Sequence, residues 1–269
     1  MIVARSFAHI AIGVFGPRDG AAAASLREGD ARVHLLDRAA PDLAGLAALV
    51  VAPDTPAILI EDAQALGIEI VSEIELFARE IGADPAVPGR APVIAVAGEP
   101  AVASLAAHIL AASGFEAQAG SPLLFDPPNA RTIYVLDLAL GEIARAPSLV
   151  PDVAVGNDAS LLKQASKAGQ VVIGVDDAQG ASLYTRHAAN GGPTAVPVSA
   201  GKVLGRGIFV VDGTLYDAQG QRAARVMELA DGDPRRAALA YAATRPFARD
   251  GRAIARAMAD LRPSLREAS

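Results

Sequence analysis

Two turns in this sequence could receive a phosphate. Each leads from an apolar run into a helical stretch, whose first N–H groups and positive dipole end favour an anion. The first turn holds Gly16, Arg18, Asp19 and Gly20. Asp37 ends the next strand about twenty residues on, where a carboxylate can accept from a ribose or a base edge. The spacing falls short of G-x-G-x-x-G and Pro17 removes a donor, so a tight turn followed by a strand-end Asp describes the pattern equally well. The second turn runs through Gly98, Glu99, Pro100, Ala101, Val102, Ala103 and Ser104. A triphosphate there needs converging N–H groups, a lysine for the β/γ oxygens and a hydroxyl for Mg²⁺. Only Gly98 and Ser104 meet those needs. Glu99 adds negative charge, Pro100 deletes a donor and Val102 stands where the lysine is required, so a structural strand-to-helix connection is expected.

Fewer residues elsewhere could carry chemistry. Asp176 and Asp177 follow an apolar run, at the edge where α/β sheets bind ligands, and a capped, solvated turn explains them as readily. Lys163 and Lys167 lie one helical turn apart and read as a solvated face. His9, His34, His108 and His187 show no metal-ligand spacing, so no metal site is expected. No G-x-S-x-G nucleophile elbow occurs.

The elements that would position these residues are short apolar runs alternating with Ala-rich helical stretches, the pattern of a mostly parallel sheet flanked by helices. Strands are expected over 8–14, 32–36, 46–51 and 68–71, with helices over 20–28, 56–66 and 73–80, the last capped by Ser72. A Pro- and Gly-rich break at 82–90 reads as a linker between a domain at 1–81 and a second at 91–269. Beyond it, strands are expected over 92–97, 132–138, 152–155 and 170–175. Helices are expected over 102–113, 161–168, 182–189, 234–244 and 252–261. Asp212-Gly213 joins two apolar runs as a hairpin turn.

Composition narrows the function classes. With 269 residues the chain has length for one large or two modest domains, and without cysteine it has neither disulfides nor thiolate chemistry. A net charge of −6, no basic tract and 4% aromatic residues make nucleic acid an unsuitable partner. The most apolar window, 91–113, is interrupted by Glu99, Pro100 and His108, so neither a membrane span nor export is expected and the location reads as cytoplasmic.

Several segments, taken in order, resemble the Mur ligase family, especially its D-glutamate-adding (MurD) type. They are 65–79 (ALGIEIVSEIELFAR), 91–98 (APVIAVAG) and 108–118 (HILAASGFEAQ), with shorter matches at 50–53, 134–138, 151–155, 172–177 and 211–217. The resemblance implies an α/β fold of two domains: an N-terminal Rossmann-like sheet of UDP-binding type and a mononucleotide-binding central-type domain, with the third ligase domain absent. It also implies that Gly16, Arg18, Asp19, Gly20, Asp37, Arg38, Pro53 and Ser72 lie near a UDP-type ligand, and that Asp137, Lys163, Asp176 and Asp177 are remnants of family positions.

The departures from the family concentrate on chemistry. Its G-T-N-G-K-S-T loop is GEPAVAS at 98–104, its N-x-T-x-D-H segment is shortened to GNDA at 156–159, and its late H-N pair is missing around 233–236. The expectation is therefore a MurD-like protein without ATP-dependent ligase activity, needing no cofactor. Its ligand would be a UDP-N-acetylmuramoyl compound or its partner a Mur-pathway protein, in a regulatory or scaffolding role in peptidoglycan synthesis. The alternative is a divergent ligase using ATP and Mg²⁺, completed by a partner chain; a plain interaction module is a third reading.

Overall fold

Strands that are apolar at every position need cover on both faces, and parallel sheets with helices on each side supply it. The computed structural model describes residues 1–15, 20–37, 41–82, 90–139, 141–166, 169–219, 222–229, 233–248 and 250–260. The chain divides into two compact units. The first comprises Met1–Arg90, Gly120–Pro127 and Gly141–Val150; the second comprises Ala91–Ala119, Pro128–Leu140 and Pro151–Ser269. Most of the 82–90 break lies outside the described residues.

In the first unit the elements are β1 (Ala11–Val14), α1 (Ala21–Glu28), β2 (Arg32–Leu35), β3 (Ala48–Val51), α2 (Ala57–Ala65), β4 (Glu69–Ser72) and α3 (Glu73–Ile81). The strands form one parallel sheet in the order β2-β1-β3-β4. The expected strand at 8–14 begins only at Ala11, after a turn in which His9 takes a φ of 64°. Ser72 caps α3 as expected, its Oγ accepting from the Glu75 N–H at 3.1 Å. The same hydroxyl donates to the Arg145 carbonyl at 3.1 Å, which helps tie segment 141–150 to this unit. Segment 120–127 is held by Ile2 N–H on the Leu123 carbonyl (3.1 Å) and by Phe125 meeting Phe77 edge-on at 5.8 Å.

In the second unit the elements are β5 (Val93–Ala97), α4 (Pro100–Ala112), β6 (Glu116–Ala119), β7 (Thr132–Leu138), β8 (Val153–Val155), α5 (Ala159–Gln164), β9 (Gln170–Gly174), α6 (Ala178–Ala189), β10 (Thr194–Ser199), β11 (Arg206–Val211), β12 (Thr214–Gln219), β13 (Arg222–Glu228), α7 (Pro234–Thr244) and α8 (Gly251–Asp260). The sheet order is β13-β12-β11-β10-β9-β8-β5-β7-β6, with antiparallel pairing only among β11, β12 and β13. Helices α4, α7 and α8 share one core cluster with the sheet through Val102, Ala106, Ile109, Leu239 and Ile254. The hairpin turn is as expected: Asp212 and Gly213 take φ of 48° and 70°, the pair of positive values a type I′ turn requires.

Three strands, β6, β10 and β13, were not expected from pattern. For β10 the cause is Pro197, which normally argues against a central strand. Its neighbour β11 makes room with Gly207, where a Cβ would come 2.2 Å from the Pro197 carbonyl oxygen. Helix α4 starts at Pro100 rather than at 102, since proline at the first helical position has no N–H to lose. Helix α5 ends at Gln164, short of the expected 168, and Lys167 lies outside the described residues.

Candidate functional site

The turn from β5 into α4 sits at the carboxyl edge of the second unit's sheet, beside the point where strand order reverses, the usual ligand position in such sheets. Gly98 takes a φ of 68° and its N–H continues the ladder onto the Leu138 carbonyl at 2.9 Å. Glu99 is the residue before the helix. Its carbonyl accepts from Val102 N–H at 2.9 Å and Ala103 N–H at 3.3 Å, and its side chain makes no cap bond. Val102 is fully buried and Ala103 nearly so, whereas Ala101 and Ser104 face solvent. The Glu99 carboxylate instead pairs with the Arg235 guanidinium at 2.8 Å, reaching across to the first turn of α7.

That arrangement does not fit a nucleoside triphosphate. A transferring phosphoryl group needs cations and converging donors. Here Val102 is an aliphatic side chain packed in the core, Pro100 has no N–H, and Arg235 beside the turn already faces a carboxylate.

Around the turn, Gly156 packs so closely that a Cβ would lie 3.1 Å from the Ala97 carbonyl oxygen. Asn157 Nδ2 donates to the Gly174 carbonyl at 3.3 Å, and its Oδ1 is buried without a partner. Asp137 lies near the end of β7, where partial burial pushes its carboxyl above the ordinary range. Asp176 and Asp177 are both engaged within the protein. Asp176 accepts from Ser199 Oγ (2.5 Å) and Ala200 N–H (3.0 Å), while Asp177 caps α6 through Gly180 N–H at 2.7 Å. Lys163 is exposed on α5. Among the described residues no group of three His, Cys, Asp or Glu side chains could hold a metal.

In the first unit, Gly16, Arg18, Asp19 and Arg38 lie outside the described residues. Gly20 precedes α1 without a side-chain cap. Asp37 is exposed just after β2 and Pro53 lies in an exposed turn after β3, whereas Ser72 is buried and bonded at both ends of its hydroxyl.

Sequence reasoning missed Glu73 at this end of the sheet. Its carboxylate accepts from Ser121 Oγ at 3.2 Å and from the backbone N–H of Ala22, in the first turn of α1, so the chain supplies that helix with an anion of its own. Burial nevertheless raises the Glu73 carboxyl, outweighing those hydrogen bonds, and the nearby Glu142 pushes the same way. Folding therefore takes up a proton between the unfolded and folded pKa values. The stability this supplies is present below the unfolded value and lost as pH rises through the folded one. Glu73→Gln should flatten that slope, with its urea midpoint gaining on wild type from pH 4 to pH 7; a constant difference across that range would contradict it.

Comparisons with known proteins bear on the whole chain. No family model matches it. The UDP-N-acetylmuramoylalanine–D-glutamate ligase of Caulobacter vibrioides is 31% identical over 305 aligned residues, covering 91% of this chain and 64% of the relative. That of Phenylobacterium zucineum is 32% identical, covering 79% of this chain and 54% of the relative. The chain thus spans about half to two thirds of the length of these relatives. Among solved structures, the UDP-N-acetylmuramate:L-alanyl-γ-D-glutamyl-meso-diaminopimelate ligase from Neisseria meningitides superposes with a TM-score of 0.59 over 93% of this chain at 16% identity. A murein peptide ligase from Psychrobacter arcticus gives 0.54 over 93% of the chain at 14% identity, a likeness of fold. Among the described residues no helix is long and apolar enough to cross a membrane. With the sequence likeness spanning nine tenths of its length and the α/β architecture agreeing, the chain belongs to the Mur ligase family and is of MurD-like type.

Proposed function

We propose that this protein acts in peptidoglycan precursor synthesis as a MurD-like protein that does not ligate. It recognises a UDP-N-acetylmuramoyl compound, or a Mur-pathway protein, in the cytoplasm and serves as a regulator or scaffold. The observation that supports this reading is the β5–α4 turn, where Val102 is buried in the core and Glu99 presents a carboxylate. Phosphoryl transfer rests on positioning and charge stabilisation, and this turn supplies neither.

Calorimetry tests the reading with two ligands added separately. Uptake of UDP-N-acetylmuramoyl-L-alanine with no heat from Mg-ATP is the expected result. Saturable Mg-ATP binding, with ADP released on addition of D-glutamate, would overturn it in favour of a divergent ligase. Heat from neither ligand would remove the UDP-sugar arm and leave binding to a Mur-pathway protein, to be sought by titrating purified Mur ligases.

A further inference from the structure

Arg235 is placed by local geometry. Asp233 caps α7, accepting from the Arg235 N–H at 2.9 Å, and Pro234 starts the helix, which fixes where the next side chain leaves the backbone. The guanidinium then lies over the end of β9, and a glycine at 174 leaves room for it, since a Cβ there would come 3.3 Å from Nη2 and 3.4 Å from Nε. Among the described residues its one carboxylate within ion-pair distance is Glu99, at 2.8 Å, with the two side chains 38% and 21% exposed.

A guanidinium fork matches a carboxylate and a phosphate with the same geometry. An anion carried on the same chain also competes at a high effective concentration, on the order of millimolar or more. We infer that Arg235 over Gly174 is an oxyanion site for a phosphate or sulfate group, which the protein keeps filled with its own Glu99 carboxylate. This deepens the proposal of a turn that holds no ATP, and rests on it. Glu99 is on this view more than a residue that keeps phosphates away: it occupies the place of the ligand and makes the closed state the resting one.

The test removes the internal anion and supplies an external one. Thermal unfolding of the full chain is followed at about 20 mM inorganic phosphate against chloride of equal ionic strength, for wild type, E99A and the double variant E99A/R235A. For a Kd of roughly 2 mM, phosphate should favour folded E99A about tenfold, visible as a rise in Tm of a few degrees. Wild type and the double variant should show only the small general salt effect that all three share. Sulfate should act on E99A to within about threefold of phosphate, because both present a tetrahedral oxyanion. Should E99A fail to fold, E99Q keeps the side-chain size, removes the charge, and should show the same phosphate-dependent gain over wild type.

Equal phosphate responses in wild type and the Glu99 variant, or a gain that survives loss of Arg235, would overturn the inference. Mg-ATP binding by wild type in the calorimetric experiment above would instead overturn the reading of the turn itself, so the two failures are distinguishable.

Discussion

Glu75→Ala should cost the first unit about 3–5 kcal/mol, a large fraction of an ordinary domain's stability. Glu75 is 1% exposed, yet its carboxylate is fully used. Oε1 accepts from Arg79 Nε and from Ser148 Oγ, both at 2.7 Å, and Oε2 accepts from the Ser148 N–H at 2.9 Å. Truncation strands a backbone donor and removes one of the two carboxylates that Arg79 meets among the described residues, leaving Glu69 at 2.5 Å. Arg79 is 26% exposed and retains some water, so the lower end of that range is expected. Urea denaturation should show the transition of the first unit moving, and amide exchange should show segment 141–150 losing protection first. Ser148→Ala alone should cost about 1 kcal/mol, and in the double variant the two losses should fall short of additive by about 1 kcal/mol or more. Strict additivity would mean that Glu75 and Ser148 do not act as one unit.

Gly180→Ala should destabilise the second unit by about 2–4 kcal/mol, against the sign that helix propensity alone suggests. Inside a helix the change from glycine to alanine is ordinarily worth up to about 1 kcal/mol of gain. Here a Cβ would fall 1.9 Å from the Gly174 carbonyl oxygen and 2.8 Å from Asn157 Nδ2. The nearer atom is strand backbone, so α6 must move away from the sheet end, and overpacking costs take over. The shift would also break the 2.7 Å cap from Asp177 and disturb the Asn157 contact with β9. Gly192→Ala is the control, since its nearest neighbour is a His187 side-chain atom at 3.7 Å. Comparable losses in both variants by thermal melting would show that the close approach at Gly180 is not what matters.

These two positions mark the limit of what could be read before folding. Local rules act within a few residues, and the strongest of them held. Ser72 caps α3, Asp212-Gly213 makes the hairpin turn, and the apolar runs at 132–138 and 234–244 became β7 and α7 with the same ends. The weaker signals failed for local reasons too. A proline inside β10 and exposed, charged residues along β13 hid two strands whose partners, not their own pattern, hold them in the sheet.

The amino-acid order by itself therefore determined the α/β alternation, the Ser72 cap and the Asp212-Gly213 turn, because each depends on neighbours in sequence. Tertiary structure alone decided which charges meet. Glu75 reaches a serine 73 residues away, Glu99 finds Arg235 across the sheet edge, and Glu73 lies at the start of α1. Electrostatic and hydrogen-bond energies depend on distance and burial, which the chain acquires only on folding, so no spacing in the sequence announced these pairs. The same holds for segments 120–127 and 141–150, which join the first unit although they follow the second unit's opening strand.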